Sequence, residues 1–150
     1  MTKILFDIAI ALVYIAGIAK GFMDSLQFHF NTSLFAKLNQ QFWNPEISWQ
    51  NKYSEVVTLT RRKLFTIRLG SFSVDVPYPA FLTDGWHLFQ FIYLECLFVS
   101  IFFFALALKQ FNCLNIFNMA LLVLMMRLAF GIGFLISYRA KNIGIGGKNA

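Results

Sequence analysis

Charge is scarce in this chain. Aspartate, glutamate, lysine and arginine make up 13% of its 150 residues, where a soluble domain carries roughly 25%, and that shortfall excludes an ordinary water-soluble globule. Proline is limited to Pro45, Pro77 and Pro79, none of them in the long apolar runs, so nothing there breaks a helix. Cysteine is limited to Cys96, deep in one apolar run, and Cys113, just beyond its far end. Along a straight helix the two are too far apart for the short Cα separation of a disulfide, and no paired cysteine spacing suits a zinc-thiolate site. Histidine occurs only at His29 and His87.

Apolar residues fill the space that charge leaves: 58% of the chain, with 19 phenylalanines, at a mean hydropathy of +0.62. Bilayer hydrocarbon needs roughly 20 apolar residues in helix, and three segments meet that length, about 4–23, 86–108 and 114–138. Gly17-Ile18-Ala19 resembles a signal-peptide cleavage site, but the basic region before it is only Lys3 and Asp7 interrupts the apolar core. The first run therefore reads as a span. The expected fold is an all-α membrane protein with three transmembrane helices in one domain, 1–150, and an insertion, 31–83, between the first two spans.

Three spans put the amino terminus and the turn at 109–115 on one side, and residues 21–85 with the carboxyl tail on the other. Lys3 and Lys109 fall on the first side; Lys20, Lys37, Lys52, Arg61, Arg62, Lys63, Arg68, Arg139, Lys141 and Lys148 fall on the second. The positive-inside rule then predicts an outside amino terminus and a cytoplasmic carboxyl terminus. The net charge of +6 reads as topology-setting, because a nucleic-acid footprint needs a basic patch on a folded, water-facing surface; no nucleic-acid partner is expected. Trp86 and Tyr138 mark the cytoplasmic ends of the second and third spans, at the level amphipathic rings favour. Gly17 with Gly21, and Ala129 with Gly133 and Ser137, form small-residue stripes four residues apart that permit close helix approach, within the chain or in a homodimer.

In the insertion, Asn31-Thr32-Ser33 is a run of capping residues, followed by Leu34, Phe35, Leu38 and Phe42 at helical spacing. That pattern predicts a short surface helix ending at Trp43-Asn44-Pro45. Around Gly70, Phe65, Ile67 and Leu69 and then Phe72, Val74 and Val76 alternate with polar or small residues, predicting a β-hairpin with one apolar face. A lone hairpin is marginal in water, so it is expected to lie on the bilayer or on the surface helix. Arg61, Arg62 and Lys63 beside it form a basic cluster that would attract anionic lipid by roughly 1 kcal/mol per charge.

Two charges fall inside the spans. Glu95 lies on the order of 15 Å into the second and Arg127 a similar distance from the cytoplasmic end of the third. An antiparallel pair of helices brings them to one depth, so an intramembrane ion pair is predicted, either a structural pin or part of a proton or ion path.

Each histidine follows an aspartate at a junction between apolar and polar sequence: Asp24 with His29, Asp84 with His87. The topology sends both junctions to the cytoplasmic face. Asp84 and His87 share a helix face at i and i+3, whereas Asp24 and His29 lie roughly 140° apart on an ideal helix and meet only if it unwinds before Phe30. By ligand type the four suit zinc, iron or manganese. The bland alternatives are Asp84 as a helix cap, His87 as an interfacial ring and Asp24 paired with Lys20.

The order Asp24…Phe28-His29-Phe30, Phe42-Trp43-Asn44-Pro45, Ser48-Trp49-Gln50-Asn51-Lys52-Tyr53 and Thr83-Asp84-Gly85-Trp86-His87-Leu88 resembles small integral membrane proteins of Bacteroidetes-type bacteria. The resemblance covers most of the chain and implies a bacterial inner-membrane location; it transfers no activity and no site. Three functions stay open: a non-catalytic membrane subunit or scaffold engaging a membrane-protein partner, a metal-dependent enzyme acting on a lipid headgroup through Asp24, His29, Asp84 and His87, and ion or proton transport through Glu95 and Arg127.

Overall fold

Three long helices account for most of the computed structural model, which describes residues 2–111 and 116–139. They are α1 (Thr2–His29), α4 (Gly85–Phe111) and α5 (Ile116–Arg139), separated by short helices α2 (Gln40–Trp43) and α3 (Pro45–Ser48) and strands β1 (Tyr53–Glu55), β2 (Thr60–Arg61), β3 (Lys63–Leu69) and β4 (Phe72–Pro77). All three long helices are long and apolar enough to cross a membrane. α1 runs past its expected end at 23, and the Lys20–Asp24 pair one turn apart supports that polar extension. The expected start of the third span at Leu114, residues 112–115 of the expected turn at 109–115, Cys113, Lys141 and Lys148 lie outside the described residues, while 109–111 continue α4.

α1 is the centre of the bundle. Ala9, Val13, Ala16, Ala19, Met23 and Leu26 make up most of the buried apolar core. α4 runs antiparallel along one side, with Phe22 against Phe89 at 5.1 Å and Phe6 against Phe104 at 6.4 Å between ring centroids. α5 runs parallel along the other. A Cβ on Gly17 would collide with the Phe130 carbonyl, one on Gly21 with the Ser137 hydroxyl, and one on Gly133 with the Tyr14 carbonyl. The two small-residue stripes thus face each other within one chain, and backbone-to-backbone approach draws α5 onto α1.

That packing overturns the predicted Glu95–Arg127 pair. α4 and α5 both lie against α1 and scarcely meet each other; Tyr93 and Phe130, 6.2 Å apart, are their ring contact. Glu95 and Arg127 are both exposed, and the ion pairs among the described residues do not include them. Adjacency of α4 and α5 in sequence did not make them neighbours in space, because the close-approach stripe of α5 matches α1.

The expected surface helix over 34–42 is also replaced. The chain breaks into single turns, Leu34–Lys37, α2, α3 and Trp49–Lys52. Ser33 accepts from the Phe35 N–H, Asn39 from Gln41 at 2.9 Å and Asn44 from Glu46 at 3.0 Å. Each capping side chain offers the backbone a fresh start that competes with continuing the previous turn. Leu38, extended at φ −86 and ψ −178, is where the first break falls.

The hairpin forms in the expected place. Phe65 pairs with Val76, Ile67 with Val74 and Leu69 with Phe72, while Thr66 and Arg68 pair with Asp75 and Ser73. Apolar residues oppose apolar ones across the strands. Gly70 turns the chain at φ +62, a left-handed conformation that tight hairpin turns require and glycine adopts at no steric cost. A second, shorter ladder joins β1 to β2; its residues lack the alternation that would have announced it.

Candidate functional site

Thr83, Asp84 and Gly85 hand the connecting segment to α4, and the caps at this point build the site. Asp84 accepts the His87 backbone N–H at 2.9 Å, closing the first turn as an N-cap whose charge suits the helix dipole. The same carboxylate holds the His87 imidazole, with its oxygens 2.7 and 2.9 Å from Nδ1. The Thr83 hydroxyl, which donates to the Ala80 carbonyl at 2.6 Å, lies 3.2 Å from the same carboxylate. Asp84 is buried and His87 half-buried. A carboxylate can only accept, so Nδ1 carries a proton and Asp84 fixes the plane of the ring, leaving Nε2 turned away from the carboxylate with no hydrogen bond among the described residues.

Two neighbours fix this junction. Trp43 lies flat against Gly85, where any Cβ would strike its ring, and stacks on Phe35 at 4.8 Å. Phe35 in turn meets Phe22 and Phe89 at 5.4 and 5.6 Å, so an aromatic cluster pins the connecting segment to α1 and α4. Asn51 donates to the carbonyls of Thr83 at 2.8 Å and Gln41 at 2.6 Å, tying the turns after α3 to the start of α4.

His87 forms part of the wall of two cavities. One, of about 250 Å³, is also lined by Gln27, Ser48, Trp49, Asp84 and Trp86. The other, of about 170 Å³, is also lined by Lys52, Arg61, Arg62 and Tyr78. Arg62 is held in place through its Nε–H to the Tyr53 carbonyl and its backbone N–H to the Lys52 carbonyl, both 3.0 Å. Three cations therefore line a small cavity that an oriented imidazole also borders, an arrangement suited to binding an anion through charge-assisted hydrogen bonds.

The predicted basic cluster splits. Arg61 and Arg62 border this cavity, but Lys63 turns to the hairpin and pairs with Asp75 at 2.5 Å. The register shift between Lys63 and Phe65 lies where that pair forms. Lys63 and the Thr66 hydroxyl, 2.7 Å away, hold the Asp75 carboxyl below its ordinary value.

The four predicted metal ligands do not gather. Asp24 pairs with Lys20, and His29 bonds through Nε2 to the Tyr138 hydroxyl at 2.7 Å, joining the ends of α1 and α5. α1 stays wound to His29, so the roughly 140° offset between Asp24 and His29 is preserved. Among the described residues no three of histidine, cysteine, aspartate and glutamate stand close enough to hold a metal. Asp84 and His87 remain together as an orienting pair. Lys52, Asn51 and Gly85 were missed as site residues; all three fall in the Asn51-Lys52-Tyr53 and Asp84-Gly85-Trp86 stretches, whose density of polar and aromatic residues was the available signal. No protein family, curated protein or solved structure matches the chain.

Proposed function

We propose that this chain is a multi-pass membrane protein inserted by α1, α4 and α5, whose connecting segment binds the phosphate of an anionic lipid headgroup. In this role it is a non-catalytic subunit or scaffold of a bacterial cytoplasmic membrane, with the amino terminus outside and residues 30–84 on the cytoplasmic face. The observation that carries the proposal is the cavity of Lys52, Arg61, Arg62, Tyr78 and His87 at the polar end of α4. The excess of lysine and arginine in that segment supports the orientation, and the sequence resemblance supports the location.

Two further features favour a lipid headgroup as the anion. The cavity lies where the apolar helices end, the depth at which headgroups sit. Beside it the hairpin exposes Phe65, Ile67, Phe72 and Val74, an apolar face next to cations, which is the composition of a surface that lies in the membrane interface. Binding is preferred to catalysis because His87 hydrogen-bonds only to Asp84 among the described residues. Among the described residues no hydroxyl or thiol is hydrogen-bonded to its ring, as a nucleophile activated by it would be.

Purified protein in nanodiscs tests this by native mass spectrometry. Phosphatidylglycerol should be retained in preference to phosphatidylcholine, and Lys52→Gln with Arg61→Gln should weaken that preference by about 10-fold, in the range expected for losing two charge-assisted contacts. Equal retention of both lipids by the unsubstituted chain would sink the proposal.

A further inference from the structure

Away from their ends, α4 and α5 each carry one charged residue, Glu95 and Arg127, and neither forms an ion pair among the described residues. Their positions explain why. Tyr93 of α4 meets Phe130 of α5, which fixes both the relative depth of the two helices and the face each turns to the other. Glu95 lies two residues from Tyr93, about 200° round the helix, and so on the far side of α4. Arg127 lies three residues before Phe130, about 60° round α5 and so beside the face turned to α4. It is exposed nonetheless, because the acid that could meet it stands on the far side of α4. Because α4 and α5 run in opposite directions, both steps lead the same way along the bundle, by about 3 Å and about 4.5 Å. The carboxylate and the guanidinium therefore stand at nearly one depth but open outward from the three-helix unit.

We infer that a second copy of this chain covers these faces, with Glu95 of one copy paired to Arg127 of its neighbour. Copies inserted in one membrane share an orientation, so the depth match within a copy is a depth match between copies. Each copy supplies one acid and one base, and a closed assembly leaves neither charge in lipid. The surroundings suit a helix interface: Phe91, Leu94 and Phe98 flank Glu95 at i−4, i−1 and i+3, and Leu124 and Leu128 flank Arg127, all exposed. The internal use of Gly17, Gly21 and Gly133 removes the small-residue stripes from this role, so association runs through the outer faces of α4 and α5.

This pairing presupposes the membrane insertion proposed above, and complementation between two differently tagged copies in one membrane tests it. One copy carries Glu95→Lys and the other Arg127→Glu. Either variant expressed with itself sets like charges against each other at every contact, whereas the mixture restores opposite charges at both. Co-purification of the two tags should fall by at least ~10-fold for each variant with itself and return to near the unsubstituted level for the mixture. Restoration in trans also shows that both variants fold. Unchanged self-association of either variant, or a mixture no better than its components, would overturn the pairing. Alkaline carbonate extraction is run alongside: release of the unsubstituted chain from the membrane would overturn insertion itself, while retention without complementation would overturn only the pairing.

Discussion

Asp84 keeps both carboxylate oxygens within 2.9 Å of Nδ1 of His87 while one of them also accepts the His87 backbone N–H. One side chain thus starts α4 and aims an imidazole. The two tasks separate on substitution. Asp84→Ala removes the cap and should cost about 1 kcal/mol at the start of the helix, read as faster hydrogen exchange at the amides of residues 85–88. Asp84→Asn keeps a capping oxygen, so exchange there should change little, yet its amide can present a donor to Nδ1 and let the ring adopt the other tautomer. Lipid retention should then drop in Asp84→Ala, which frees the ring, and hold or rise in Asp84→Asn, whose ring can turn an Nε2–H donor to a phosphate oxygen. An equal loss in both variants would show that binding needs the Asp84 carboxylate itself rather than the aim of His87.

Close packing of α1 on α5 yields a steric contrast within one chain. Gly21 has no room for a Cβ, being against Ser137 and Phe134, while Gly131 on the same α5 has nothing within 4 Å of one. Gly21→Leu should therefore force the helices apart and destabilise the bundle by about 1–3 kcal/mol or more, the range for overpacking. Gly131→Leu should be close to neutral. Unfolding in a graded mixture of mild and harsh detergent compares the two, and equal effects would place the α1–α5 contact elsewhere.

The hairpin carries a pH dependence with a definite sign. Lys63 and Thr66 hold the Asp75 carboxyl below its ordinary 3.8, so the folded pKa lies under the unfolded one. The contribution of that pair is present above the unfolded value and is lost as pH falls through the lower, folded one. Asp75 is well exposed, so solvent screens the pair and the effect is small. β3–β4 amide protection should be flat from neutral pH down to about 5 and decline only in the acid range below the ordinary carboxylate pKa. Asp75→Asn should abolish that decline; a decline beginning near pH 6 would point to another group.

What could be read from the sequence follows from the range of the forces involved. Apolar runs of 20 or more residues need no partner to declare themselves, and alternation around Gly70 announced a hairpin whose register matches it. The breaks in 34–48 were visible as residues, Ser33, Asn39 and Asn44, but the helical spacing of Leu34, Phe35, Leu38 and Phe42 outweighed them, although each cap acts locally and ends the turn before it. Which helix takes the centre was not legible, because both stripes of small residues allow several pairings and only their match decides. That choice moved Glu95 from a partner's side to an outer face. At the site, Asp84 and His87 declared themselves by i,i+3 spacing, whereas Lys52 and Arg61 reach His87 across 26 to 35 residues of chain, through turns that no short-range pattern specifies.

The hairpin's position relative to the bilayer is open to direct measurement, and its two faces make the outcome unambiguous. Val74 and Ile67 sit on the apolar face, opposite each other across the strands, and both are exposed; Ser73 pairs with Arg68 on the polar face. A side chain that points into the interface is reached by oxygen dissolved in lipid, and its neighbour in the strand, pointing the other way, by a water-soluble nickel complex, since successive side chains alternate. Spin labels at Val74 and Ser73, on protein lacking its native cysteines and reconstituted in phosphatidylglycerol-containing vesicles, should show opposite preferences. Phe72→Asp should erase the difference, because burying a carboxylate in the interface opposes what the apolar face gains there. Nickel access at both positions in the unsubstituted hairpin would mean that β3 and β4 stand clear of the membrane, leaving their apolar face for a protein partner rather than for lipid.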